Sequence, residues 1–349
     1  MGSNSSAIVS RSRIMKGIKL FVVLTLIGIV FILYRSSFSK SLSHLLNFDL
    51  PLLAAIAGLV FLDWVAGGLR IYIFAAKVHP GISLAACVRA NVANIFMGGV
   101  TPSQTGGGAG QIYILFKEGM GGMDATVASF LGFISTAIFF PICGILVITL
   151  VQPDFQSVTL RHLSSYTIVL FSLILGAVIL SLLSPTLFER VVRGLLGIIP
   201  VVRKKFRGSS SFEKLMDTFR RYHELMTYFL KERPYYLIAG FLITAIVFFN
   251  KFIIAFLVVR GLGIDASFWN VIYLQLIIFL VIYFAPTPGA SGVSEVSTAF
   301  IMGQIIPKDQ IGVFVILWRF FVLFIGMIVG GYVLTRCMLR SGNGEERHR

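Results

Sequence analysis

The sequence predicts an all-α polytopic membrane protein, with about six full spans plus two re-entrant broken-helix hairpins arranged as an inverted repeat. Composition is the first reason. Of 349 residues, 56% are hydrophobic and 13% charged, and the mean hydropathy is +0.88. Soluble domains do not have that balance, and several apolar runs exceed the length of a core helix. The second reason is a pair of interruptions, Thr101-Pro102-Ser103-Gln104-Thr105-Gly106-Gly107-Gly108-Ala109-Gly110 and Pro286-Thr287-Pro288-Gly289-Ala290-Ser291-Gly292-Val293-Ser294-Glu295. Proline removes a backbone donor and glycine costs about 1 kcal/mol relative to alanine, so neither stretch continues a helix comfortably. The third reason is that the two match: Thr101-Pro102 to Gly106 corresponds to Thr287-Pro288 to Gly292, and the same offset sets Arg89 opposite Gln275. Unwound backbone at membrane depth is tolerated only inside protein or against a watery cavity. Paired breaks in two halves therefore point to a transporter's binding site.

Taken in order, the first half covers residues 1–183. Span one runs from about Ile18 to Tyr34 behind Arg11, Arg13, Lys16 and Lys19; without a convincing small-residue cleavage site it reads as a signal anchor. Span two, about Pro51 to Ala76, carries Asp63 and Arg70. The first hairpin (82–118) goes in from Ile82 to Val100, turns at the glycines and returns over Gln111 to Glu118. Ala125 to Val151 and Leu163 to Leu183 are further spans. A basic linker (184–234) follows, with Arg203-Lys204-Lys205 and Arg220-Arg221. Within it Ser211 to Glu232 reads as an amphipathic helix, fit to lie on an anionic membrane face or to pack on the ends of the spans. The second half (235–340) holds a span from Tyr235 to Val259, the second hairpin (268–303) and a last span from Gly312 to Thr335, before a polar tail (341–349).

The positive-inside rule fixes the expected orientation. With Ile82–Glu118 returning to its own side, the N-terminus, the basic linker and the tail all face the cytoplasm, in a cytoplasmic (inner) membrane. The first hairpin then opens to the cytoplasm and the second to the outside. The net charge of +15 is assigned to these topology signals and to anionic headgroups, not to nucleic acid.

Ionisable residues in a bilayer are costly, so each needs a partner or a role. Glu295 follows the second break among Ser291, Ser294 and Ser297; it either binds a cation, carries a proton or neutralises an arginine, or else forms a structural ion pair. Arg319, eight residues into the last span, is its best candidate partner. Arg89 is read two ways, as a snorkelling residue and as a guanidinium aimed at a phosphate. Asp63 and Arg70 lie two turns apart on one helix face, free to bond to other helices, and Lys251 stays ambiguous.

Catalytic patterns are missing. His44, His79, His162, His223 and His348 are scattered, and Cys87, Cys143 and Cys337 show neither metal spacing nor a disulfide framework. The triple glycine lacks the Gly-Lys-Ser/Thr of a phosphate loop. No cofactor, metal or enzymatic activity is expected.

Asp63-Trp64 with Arg70, Arg89 and Asn94, Thr101-Pro102 through Gly106-Gly107, Gln111-Ile112-Tyr113, and Pro286-Thr287-Pro288-Gly289 with Gly292 and Glu295 resemble the lysylphosphatidylglycerol synthase transmembrane (flippase-like) family. That family includes the membrane half of the bacterial multiple peptide resistance factor, and the resemblance covers about residues 15–340. It implies a helical bundle with two re-entrant hairpins that moves lipids between leaflets. The bifunctional members add a soluble synthase domain after the last span; this chain stops at Arg349, so aminoacyl transfer is not expected of it.

The expected function is translocation of a phospholipid or lipid-linked headgroup through a cavity between the hairpins. Its binding residues would be Arg70, Arg89, Asn94, Thr101, Pro102, Gln104, Gly106, Gly107, Gln111, Thr287, Pro288, Gly289, Ser291, Gly292, Glu295 and Arg319. The expected partners are membrane lipids, anionic or zwitterionic, with a homodimer as an option. Two other classes compete: an ion- or proton-coupled carrier of a small solute, and a membrane accessory protein or enzyme acting on lipid-linked sugars.

Overall fold

The computed structural model describes residues 11–35, 48–150, 158–183, 224, 227–228 and 231–346. All of the regular structure among these residues is helical. The helices are α1 (Arg11–Arg35), α2 (Leu50–Val78), α3 (Leu84–Gly99), α4 (Gly107–Lys117), α5 (Gly122–Leu150), α6 (Val158–Leu183), α7 (Pro234–Gly261), α8 (Phe268–Phe284), α9 (Val293–Met302), α10 (Ile311–Arg319) and α11 (Ile325–Glu346), with a π-helical turn, Phe320–Phe324, joining the last two. The basic linker's charge runs and most of its expected amphipathic helix lie outside the described residues.

Five stretches are long and apolar enough to cross a membrane: Ile14–Ile32, Leu50–Val78, Gly122–Leu150, Pro234–Gly261 and Ile311–Leu339. The remaining expected crossing falls on α6, 26 residues long. By contrast α3 has 16 residues, α4 11, α8 17 and α9 10. At 1.5 Å per residue these reach about 24, 17, 26 and 15 Å, all short of a hydrocarbon core of about 30 Å.

Local chemistry sets the boundaries. Ser83 starts α3 by accepting from Ala86 N at 3.1 Å, and Pro234 stands in the first turn of α7, where its missing N–H costs nothing. α11 runs on to Glu346, through the beginning of what reads as a polar tail. An established helix adds one hydrogen bond per residue, and beyond the bilayer polar side chains are no obstacle to it.

The spacing of the two breaks recurs in the helices around them. Thr287 lies 186 residues after Thr101 (287 minus 101), and adding 186 to the bounds of α2, α3 and α4 gives those of α7, α8 and α9 to within three residues. Inside the breaks the match is conformational. Ser103 and Gln104 have φ of 50° and 56°, and their counterparts Gly289 and Ala290 have 55° and 58°. Gln104 N donates to Thr101 O at 3.3 Å, as Ala290 N does to Thr287 O at 3.1 Å. Thr105 N donates to Pro102 O at 3.1 Å, as Ser291 N does to Pro288 O at 3.0 Å.

The corresponding helices α2 and α7 cross antiparallel. Phe74 packs over Gly240, Lys251 meets Asp63, Asn250 meets Leu59 and Phe48 packs against Gly261, so the register runs down one helix as it climbs the other. The core has two parts. One gathers Phe139 and Phe140 of α5 with Phe248, Phe252, Phe279 and Trp318; the Phe139 and Phe248 rings stack at 5.3 Å. The other gathers α3, α4 and the first half of α5 with Met327 and Leu334 of α11.

Candidate functional site

Ser103, Gln104 and Ala290 adopt left-handed backbone without being glycine. Such residues cost of order 1–3 kcal/mol each and persist where the surroundings hold them. Thr101 supplies part of that hold: its Oγ1 donates to Met97 O at 2.7 Å and accepts from Gly106 N at 2.8 Å. Gly107 and Gly110, expected to unwind the chain, instead lie inside α4. Their value is closeness, since a Cβ on Gly107 would stand 2.9 Å from Asn94 Oδ1 and one on Gly110 2.8 Å from Ala93 O.

The two breaks meet. Pro102 and Pro288, equivalent residues, form an antiparallel backbone bridge. Ser103 Oγ donates to Ala285 O at 3.3 Å, and a Cβ on Gly289 would stand 2.9 Å from Gly99 O. On the second side Glu295 is fully buried, and its Oε2 accepts from Gly292 N at 2.7 Å. Arg319, 4% exposed, donates from Nε to Glu295 Oε1 at 3.0 Å and from Nη2 to Gly289 O at 3.1 Å. Thr25 of α1 donates to Ser291 Oγ at 2.9 Å.

A cavity of about 180 Å³ lies where the breaks meet α2, α5 and α7. Of the residues expected at the site, Arg70, Asn94, Gln104, Gly289 and Arg319 line it. Thr101, Pro102, Gly106, Gly107, Gln111, Thr287, Pro288, Ser291, Gly292 and Glu295 stand behind that lining and shape the breaks. Gln111, for example, accepts from Asn94 Nδ2 and donates to Ser129 Oγ, both at 3.0 Å, and so orients a lining amide. Arg89 stands apart, paired with Glu118 at 2.7 Å at the end of the bundle.

The cavity also holds residues outside the expected set: Asp63, Asn91, Thr136, Lys251, Tyr283 and Trp318. Lys251 Nζ meets Asp63 Oδ2 at 2.5 Å, and Arg70 Nη1 donates to Thr136 Oγ1 at 2.9 Å. Asp63 Oδ1, Arg70 Nε and Trp318 Nε1 are buried with no partner among the described residues. Asp63 and Lys251 carried a signal, a charge inside a span. Thr136 and Tyr283 carried none, because such residues are ordinary in spans. Among the described residues three cations thus face one carboxylate across the cavity, with Glu295 behind Arg319. Such a lining, with free N–H groups, suits an oxyanion that takes forked hydrogen bonds.

Comparison with known proteins agrees with this architecture. The family described as the lysylphosphatidylglycerol synthase TM region matches residues 18–330. A UPF0104 membrane protein of Archaeoglobus fulgidus is 24% identical over 335 residues, covering 93% of this chain and 97% of its own. With long apolar helices throughout, the chain is a multi-pass membrane protein and belongs to the lysylphosphatidylglycerol synthase transmembrane-region family.

Proposed function

We propose that this protein is a lipid translocator that passes a phosphate-bearing headgroup between leaflets by way of the central cavity. The observation that carries the reading is the lining: Arg70, Lys251 and Arg319 against Asp63, with Arg70 Nε and Trp318 Nε1 free to donate. A phosphodiester satisfies those donors and supplies the missing negative charge, while the acyl chains stay in the bilayer. The protein acts as a carrier, and its residues bind and release without chemical change.

In this reading α3–α4 and α8–α9 are re-entrant hairpins from opposite sides of the membrane, whose unwound tips touch at Pro102 and Pro288. The short helices and the antiparallel relation of α2 to α7 support it. The termini and the basic linker lie on the cytoplasmic side of the inner membrane. An inverted repeat lets either hairpin open the shared cavity to its own side.

The test is leaflet exchange. Purified protein is reconstituted with traces of fluorescent phospholipids differing in headgroup charge, and an impermeant quencher is added. Quenching well past half for a phosphate-bearing lipid is expected, returning to half in Arg70→Gln with folding intact. Quenching that halts at half for every headgroup would sink the proposal and move a small-solute carrier to first place.

A further inference from the structure

A second recess, of about 590 Å³, opens at the end of the bundle where α3 begins and α4 ends, and it shares no lining residue with the central cavity. Arg89 of α3, Lys117 and Glu118 at the end of α4, and Tyr332 and Arg336 of α11 line it. The single carboxylate among its described lining residues is occupied: Arg89 donates to Glu118 Oε1 from Nη2 at 2.7 Å and from Nε at 3.2 Å. Lys117 and Arg336 have no carboxylate partner among the described residues. Each lies over a tyrosine instead, Lys117 Nζ 5.9 Å from the Tyr113 ring centre and the Arg336 guanidinium 5.1 Å from that of Tyr332. Lys117 closes α4, and Arg336 stands three residues before the end of the apolar stretch Ile311–Leu339. Cations held beside tyrosines at such ends are the composition of a headgroup-level site, and basic pockets between spans bind anionic headgroups.

We infer that this recess is a fixed binding site for the phosphate of an anionic phospholipid, separate from the cargo cavity. Lys117 and Arg336 supply the uncompensated charge, and Tyr332 offers a face to the glycerol and upper acyl region. The site also bears on the first hairpin. The Arg89–Glu118 pair ties the open ends of α3 and α4 together, and it is half-exposed, 42% and 32%, where such pairs hold weakly. A bound phosphate competes with Glu118 for Arg89 and loosens that tie.

The experiment is native mass spectrometry of the full-length protein in detergent, with equimolar phosphatidylglycerol and phosphatidylcholine. Preferential retention of phosphatidylglycerol is expected. Losing two interfacial charges in Lys117→Gln/Arg336→Gln should cut that retention about thirtyfold. Glu118→Gln should raise it several-fold, which keeps the test open if the double variant fails to fold. Equal retention of the two lipids, or an unchanged ratio in both variants, overturns the inference. Displacement by millimolar inorganic phosphate also overturns it, because the site would then serve a soluble anion. Phosphatidylglycerol retention that survives in Arg70→Gln keeps this result distinct from the fate of the cargo cavity.

Discussion

Arg319 Nε lies 3.0 Å from Glu295 Oε1, and the other oxygen of that carboxylate holds the Gly292 N–H, so one buried ion pair ties α10 to the mouth of the second break. Removing one member of a buried pair strands the other charge and costs about 3–5 kcal/mol. Glu295→Gln should therefore lower the melting temperature of the detergent-solubilised protein markedly. Adding Arg319→Gln should recover part of that loss. Losses that simply add in the double variant would show that the two charges do not act as a pair.

The glycines of α4 separate two roles. A Cβ at Gly110 would meet Ala93 O at 2.8 Å, whereas nothing lies within 4 Å of one at Gly108. Gly110→Ala is expected to destabilise by about 1–3 kcal/mol by prising α4 from α3. Gly108→Ala should stabilise by up to about 1 kcal/mol, since alanine favours the helix. Thermal melts of the two single variants, moving in opposite directions, would establish the distinction; equal shifts would refute it.

Much of this was legible in the sequence, for reasons that are local or costly. Long apolar runs define the class, and the two Thr-Pro breaks announce themselves because proline and glycine act on their own backbone. Glu295 and Arg319 point to each other because a charge inside a bilayer must find its opposite. What stayed hidden depends on distant geometry. Asp63 and Lys251, 188 residues apart, meet only because α2 crosses α7 antiparallel. The left-handed strain in the first break falls on Ser103 and Gln104, not on the neighbouring glycines, which the hairpin uses for close packing. Arg89, equally polar by sequence, lands at the bundle's end because it sits near the start of α3.

Among the described residues Asp63 is the only carboxylate lining the central cavity, so under the proposed function it sets how tightly an anion is held there. Asp63→Asn removes the repulsion it exerts on a phosphate and frees Lys251 to bind one. Retention of an anionic lipid headgroup should rise on the order of tenfold, about 1.4 kcal/mol, while release and hence leaflet exchange slow down. Weaker retention together with slower exchange would mean that Asp63 serves the fold alone.

The bridge between Pro102 and Pro288 makes the strongest demand on the proposed cycle. Facing residues of an antiparallel pair have Cα atoms about 4.5–5.5 Å apart, within the range that a disulfide spans. With Cys87, Cys143 and Cys337 replaced by alanine, Pro102→Cys/Pro288→Cys should therefore crosslink under mild oxidation. If one hairpin must draw away from the other to open the cavity to its side, the crosslinked protein should show no leaflet exchange, and a reductant should restore it. Exchange that continues through a fully formed crosslink would mean that the tips stay joined throughout. The headgroup would then have to pass beside the bridge, between α1 and the second break, where Phe21 packs on Gly289 and Gly28 on Glu295.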